Sequence, residues 1–179
     1  MNLLITPVLA VLVGSGWPGP AGRSAQALKI GFPTGFAPAT ISGLTATPAT
    51  VTFAATDPDL SPFGGTAATV TWSALLGLPT NTWMLSVQAG ASTFSGDPTV
   101  PVSAVTVTCS SASASGLGGT ATCMGPFTLS TSSHVVATGA EGLLTGNYTV
   151  HIAFSFSDSW KYIATSACTL TLTYTAVTP

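Results

Sequence analysis

Of 179 residues, three are Lys or Arg and five are Asp or Glu, a charged fraction of 4% against 46% hydrophobic. That is far below the quarter or so of charged residues in an ordinary soluble domain. With a formal charge of −2 and no basic cluster, the chain offers no basic patch to neutralise phosphates, which makes nucleic acid and anionic lipid surfaces poor candidates as partners.

The first element is the apolar run at residues 3–13, LLITPVLAVLV, which is too short to span a bilayer but has the length of an export-signal core. Ala25-Gln26-Ala27 supplies a small-residue cleavage pattern, so residues 1–27 read as a signal peptide and the mature chain begins Leu28-Lys29-Ile30. The alternative is that the run is an apolar N-terminal strand of the fold itself. A mature chain of 152 residues is the size of one domain, and its two lysines against five acids give a charge of −3. Such weak charge leaves little repulsion between copies and favours self-association. No later segment reads as a membrane span, because residues 150–156 alternate with polar side chains and soon meet Asp158.

Residues 28–48 form a separate N-terminal segment. Leu28, Ile30 and Phe32 share a parity, while Pro33, Pro38 and Pro48 disfavour a central strand. The expectation is a linker with a short edge strand, and the sharper alternative is a strand over residues 28–47 donated to a neighbouring subunit.

From residue 49 to 179 the apolar residues recur at every second position and never hold a helical stripe for three turns. Val51 and Phe53, Val70 and Trp72, then Trp83, Leu85 and Val87 mark the first strands. Val105, Val107 and Cys109 follow, then Cys123, Phe127 and Leu129, and a strand of unclear parity through Val135 and Val136. In the next, Tyr148, Val150, Ile152, Phe154 and Phe156 share one face, with Thr149, His151 and Ser155 on the other. The last puts Cys168, Leu170, Leu172 and Tyr174 opposite a ladder of Thr169, Thr171, Thr173 and Thr175. Turn signals such as Asp57-Pro58-Asp59, Gly64-Gly65, Gly96-Asp97-Pro98 and Gly116-Leu117-Gly118-Gly119 separate them. Seven or eight strands punctuated this way predict a single-domain, all-β antiparallel sandwich.

Cys109 and Cys123 bound one Ser/Gly-rich connection, and an oxidising compartment allows a structural disulfide between them. Cys168 is then left as a buried thiol on another strand, although sequence leaves the other pairings open. No CxxC pair exists and the histidines are scattered, so no zinc site is expected, and no cofactor is implied. Asp57 and Asp59 flank Pro58 as turn-capping carboxylates; as a calcium site the pair would need additional oxygen ligands. His134 and His151 are all the chain has for general-base chemistry at neutral pH, and neither stands beside a GxSxG-type nucleophile. No catalytic residue is therefore assigned, and a secreted hydrolase, using His134 or His151 with Asp158 or a serine, ranks last.

Trp83-Met84-Leu85 with Ser86-Val87-Gln88-Ala89, Phe94 and the stretch at residues 100–107 resembles the first motif region of WxL-type bacterial surface domains. The resemblance implies an exported β domain associated non-covalently with the cell wall, with Trp83 and Leu85 as motif residues. The family's second Trp-x-Leu corresponds here to residues 170–175, LTLTYT, where Tyr174 is the nearest aromatic. In composition the chain is also similar to secreted fibre subunits of the pilin and spore-coat type, whose N-terminal segments complete a neighbour's sheet. The functional expectation is a non-enzymatic, exported surface module for adhesion or envelope binding, with a cell-envelope component or surface protein as partner. The alternative is a self-assembling fibre or coat subunit.

Overall fold

A computed structural model describes residues 2–11, 40–54, 57–77, 81–162 and 168–178. The cleavage pattern at residues 25–27 and the alternating Leu28, Ile30 and Phe32 lie outside these. The strands are β1 (Asn2–Val11), β2 (Thr40–Thr47), β3 (Val51–Ala54), β4 (Phe63–Gly64), β5 (Ala68–Gly77), β6 (Thr82–Ala89) and β7 (Thr93–Phe94). They continue as β8 (Asp97–Pro101), β9 (Val105–Leu117), β10 (Thr122–Cys123), β11 (Phe127–Thr128), β12 (His134–Ala140), β13 (Leu143–Phe156) and β14 (Cys168–Val177). One sheet has the order β10-β12-β6-β14-β1-β3 and the other β11-β9-β13-β5-β2, with β4 beside β13 and a small β7-β8 hairpin.

The all-β sandwich expected from the alternation is what the chain forms, and the buried side chains are those of the inward parity. On β6 these are Trp83, Leu85, Val87 and Ala89; on β14 they are Cys168, Leu170, Leu172, Tyr174 and Ala176. From the other sheet Val70, Trp72 and Ala74 of β5 and Tyr148, Val150, Ile152, Phe154 and Phe156 of β13 meet them. Each large aliphatic or aromatic side chain removed from water this way contributes about 1.5–3 kcal/mol.

Four features differ from the sequence reading. Residues 3–11, which carry the export-signal pattern, lie within a sheet, paired parallel to β14 over nine positions from Leu3↔Cys168 to Val11↔Ala176 and antiparallel to β3. A short continuous apolar run suits a strand as well as it suits a signal core. This is the one parallel pair among the described strands. Second, Thr40–Thr47, the latter half of the segment a fibre subunit would donate, is β2 of the molecule's own sheet, paired with β5.

Third, β9 does not stop at Cys109 but runs to Leu117. The register against β13 slips between Ile152↔Cys109 and His151↔Ser111, a bulge that sends the parity of β9 over: Val105 and Val107 are buried before it, whereas Ser111, Ser113 and Ser115 are exposed after it. Fourth, Cys123 and Phe127 belong to two short strands in opposite sheets, β10 beside β12 and β11 beside β9. The unclear parity at Val135 and Val136 has the same kind of origin, a register shift between Val135 and Ala137.

Candidate functional site

The side chains singled out in the sequence go mostly into the interior. Trp83 is 1% exposed, Leu85 0% and Tyr174 1%. The Trp83 indole sits 5.0 Å from the Trp72 ring and 5.2 Å from that of Tyr148, and its Nε1 donates to the carbonyls of Thr120 at 3.2 Å and Ala140 at 3.1 Å. Gly139 makes this clamp possible, since a Cβ there would run into the Thr120 carbonyl and lie 2.7 Å from the indole. The Tyr148 hydroxyl accepts from the Gly142 amide at 2.9 Å, and burial pushes its ionisation up. These residues hold the two sheets together and present nothing to a partner.

Cys109 and Cys123 are bonded, with Cα atoms 5.4 Å apart, and the bridge ties β9 of one sheet to β10 of the other. Cys168 is outside that bond and buried; burial first, and the nearby Asp97 second, push its thiol up. Asp97 is itself buried and accepts from the Thr99 amide at 2.8 Å and hydroxyl at 2.6 Å.

The histidines divide. His151 is exposed on β13 and its Nδ1 is 2.9 Å from the Thr69 hydroxyl. His134 is half-buried, stacked on Phe127 with centroids 4.9 Å apart, and its Nε2 is 3.0 Å from Ser130 Oγ. Ser130 Oγ also accepts from the Ser132 amide and donates to the Ser132 carbonyl, so it closes a turn. The carboxylates are engaged elsewhere. Asp57 Oδ1 accepts from the Asp59 amide at 3.0 Å as the cap of a 3-10 turn, as its sequence setting suggested. Asp59 Oδ1 accepts from Trp160 Nε1 at 3.2 Å, Asp158 Oδ1 from the Ser159 amide at 2.8 Å, and Glu141 Oε2 from Asn81 Nδ2 at 3.1 Å. Among the described residues no group of three or more His, Cys, Asp or Glu is placed to hold a metal ion.

What the fold does assemble is a polar face. Three rows cross β9, β13, β5 and β2: Ser115, Asn147, Ser73 and Ser42; Ser113, Thr149, Thr71 and Thr45; Ser111, His151, Thr69 and Thr47. All twelve point away from the core. Neighbours within the rows are tied by hydrogen bonds, Thr45 to Thr71 at 2.8 Å, Thr69 to His151 at 2.9 Å and Ser73 to Asn147 at 2.7 Å. Sheet geometry spaces these groups by about 4.8 Å across strands and about 7 Å along them. Two bulges keep the rows in phase, one at Ser110 on β9 and one at Gly43 on β2, where φ of 66° is the left-handed conformation glycine favours. None of the twelve carries a permanent charge. The described charged side chains that reach the surface are Asp57, Asp59, Asp158 and Lys161, all in two loops joined by the Asp59–Trp160 and Ser61–Asp158 hydrogen bonds.

The sequence reading found the β13 part of this polar surface and missed Ser111, Ser113 and Ser115, which it placed in a connection. The signal was present as the Ser/Ala alternation of residues 110–115, but small residues have weak strand preference and the bulge had shifted their parity. No family model, curated protein or solved structure matches this chain.

Proposed function

We propose that this protein is exported and serves, without turnover of its own, as a surface module that binds an envelope component or another protein through its uncharged hydroxyl-rich face. The observation that carries the reading is the twelve-residue grid across four strands, free of permanent charge, with the described surface charges confined to two loops. The export pattern at residues 3–27 and the Cys109–Cys123 bond, which an oxidising compartment favours, support the location. Trp83 and Leu85 serve this role from the core, where both are buried and Trp83 packs on Trp72 and Tyr148 of the facing sheet, rather than by touching a wall polymer.

A face of this kind makes its contacts by neutral hydrogen bonds and apolar methyl groups. Binding therefore changes little between about 0.01 M and about 1 M salt, a range over which the screening length falls from about 30 Å to about 3 Å. Pull-down of envelope fractions on the immobilised protein at the two salt concentrations measures this, with Thr149→Glu expected to weaken capture at an unchanged melting temperature. Loss of most capture at high salt overturns the neutral-face mechanism. Hydrolysis of a polysaccharide or ester panel, abolished by His134→Ala or His151→Ala, overturns the non-enzymatic reading.

A further inference from the structure

The polar face is not held equally in its four strands, and the weakest column is the one beside the disulfide. Before the bulge at Ser110, β9 has β13 on one side and β11 on the other, and buries Val105 and Val107. After it, β11 no longer runs alongside, since its pairs with β9 are confined to Thr106 and Val107. Among the described strands, β13 alone then pairs with Ser111, Ser113 and Ser115. That pairing is regular only from His151↔Ser111 to Asn147↔Ser115, with a register slip at each end. Hydroxyls complete it at the slips: Ser110 Oγ donates to the His151 carbonyl at 3.1 Å, and Ser115 Oγ accepts from the Asn147 amide at 3.2 Å and donates to its carbonyl at 3.3 Å. Inward the stretch presents only the partly buried Ala112 and Ala114, whose methyl groups remove little apolar area from water.

The Cys109–Cys123 bond stands at the head of this stretch, on the last residue before the bulge, and its other end is firmly placed. Cys123 pairs with Ala137 of β12, and the next amide, of Met124, donates to the Val136 carbonyl at 2.8 Å. Three residues before it, Thr120 is clamped: its carbonyl accepts from Trp83 Nε1, its amide donates to the Ala140 carbonyl at 3.1 Å, and its Oγ1 accepts from the Ala140 amide at 2.9 Å. The bond therefore fastens a lightly anchored half-strand to a fixed post in the facing sheet. Both cysteines are half-buried, so a small thiol or disulfide reagent reaches them.

We infer that closing the Cys109–Cys123 bond completes the binding face: with the two cysteines as thiols the Ser111, Ser113 and Ser115 column is loosely held, and oxidation after export fastens it, so that binding is switched on outside the reducing cytoplasm; this rests on the surface-module reading above. The closure takes two electrons and two protons from the Cys109 and Cys123 thiols and gives them to a disulfide oxidant of the exporting compartment, which leaves as a pair of thiols.

The test compares the full chain in its oxidised form with the same protein reduced by dithiothreitol, with alkylation at Cys109 and Cys123 confirmed by peptide mass. In the reduced form the amides of residues 111–115 are expected to exchange at least about 10-fold faster, while those of β6 and β14 keep their protection. Capture of envelope fractions is expected to fall at least about 10-fold with reduction, and to return when unalkylated reduced protein is reoxidised with glutathione disulfide. A protein carrying Cys109→Ser and Cys123→Ser is expected to match the reduced form in both measurements. Unchanged exchange in residues 111–115, or faster exchange with unchanged capture, overturns the inference and leaves the surface-module reading standing. Loss of protection throughout β6 and β14 shows global unfolding and overturns a local device. Absence of capture in both redox states refutes the surface-module reading and the inference together.

Discussion

The same two strands, β5 and β13, build the most demanding and the most permissive regions of this protein. Inward, Trp72 and Tyr148 stack with centroids 5.3 Å apart, and Trp83 is held against both. Outward, one residue away in each case, Thr71, Ser73 and Asn147 form side-chain hydrogen bonds that solvent can replace, and Thr149 lies between them on the same face. The inner group loses dispersion contacts and hydrophobic burial when altered, with nothing to take their place. The outer group exchanges one neutral hydrogen bond for another to water. Alternation thus separates stability from recognition within single strands.

The sharpest test of that separation is Trp83→Ala, expected to cost about 3–5 kcal/mol. Equilibrium denaturation with urea reads it out. A variant of unchanged stability that had lost envelope capture would show that the indole faces a partner after all. Gly139→Ala attacks the same clamp by overfilling, at about 1–3 kcal/mol by the same measurement.

Removing the bond between the sheets by changing Cys109 and Cys123 to Ser opens a loop with a sequence separation of 14, for a loss of about 3 kcal/mol. Non-reducing peptide mapping checks the pairing itself.

Alkaline titration separates the two sides without mutation. Tyr174 and Tyr148 have ionisations raised above the ordinary phenol value of 10.0, chiefly by burial. Their native forms hold protons that the unfolded chain gives up, so their contribution is fully present below pH 10 and declines as pH rises above it. The melting temperature is expected to fall above about pH 10, and the fall to be shallower in Tyr174→Phe.

The smallest effects belong to the outer face. Thr71→Ala, which removes the partner of Thr45, should change stability by no more than about 1 kcal/mol in thermal melts. A larger loss would mean that the face is structural rather than a surface for binding.

Sequence alone determined the class of fold, the two sides of β6, β13 and β14 and the inward parity of Cys168. All of these follow from period-two alternation, which records on each strand separately which side meets water. Only the tertiary structure decided how the strands are registered against one another. It put the bulge at Ser110 that turns Ser111, Ser113 and Ser115 outward, divided Cys123 from Phe127 between two sheets, and brought four strands into phase as one polar face. It also gave the apolar residues 3–11 a place between β14 and β3. A hydrophobic run states that it must leave water, but the partner that removes it lies far along the chain, and no local pattern names that partner.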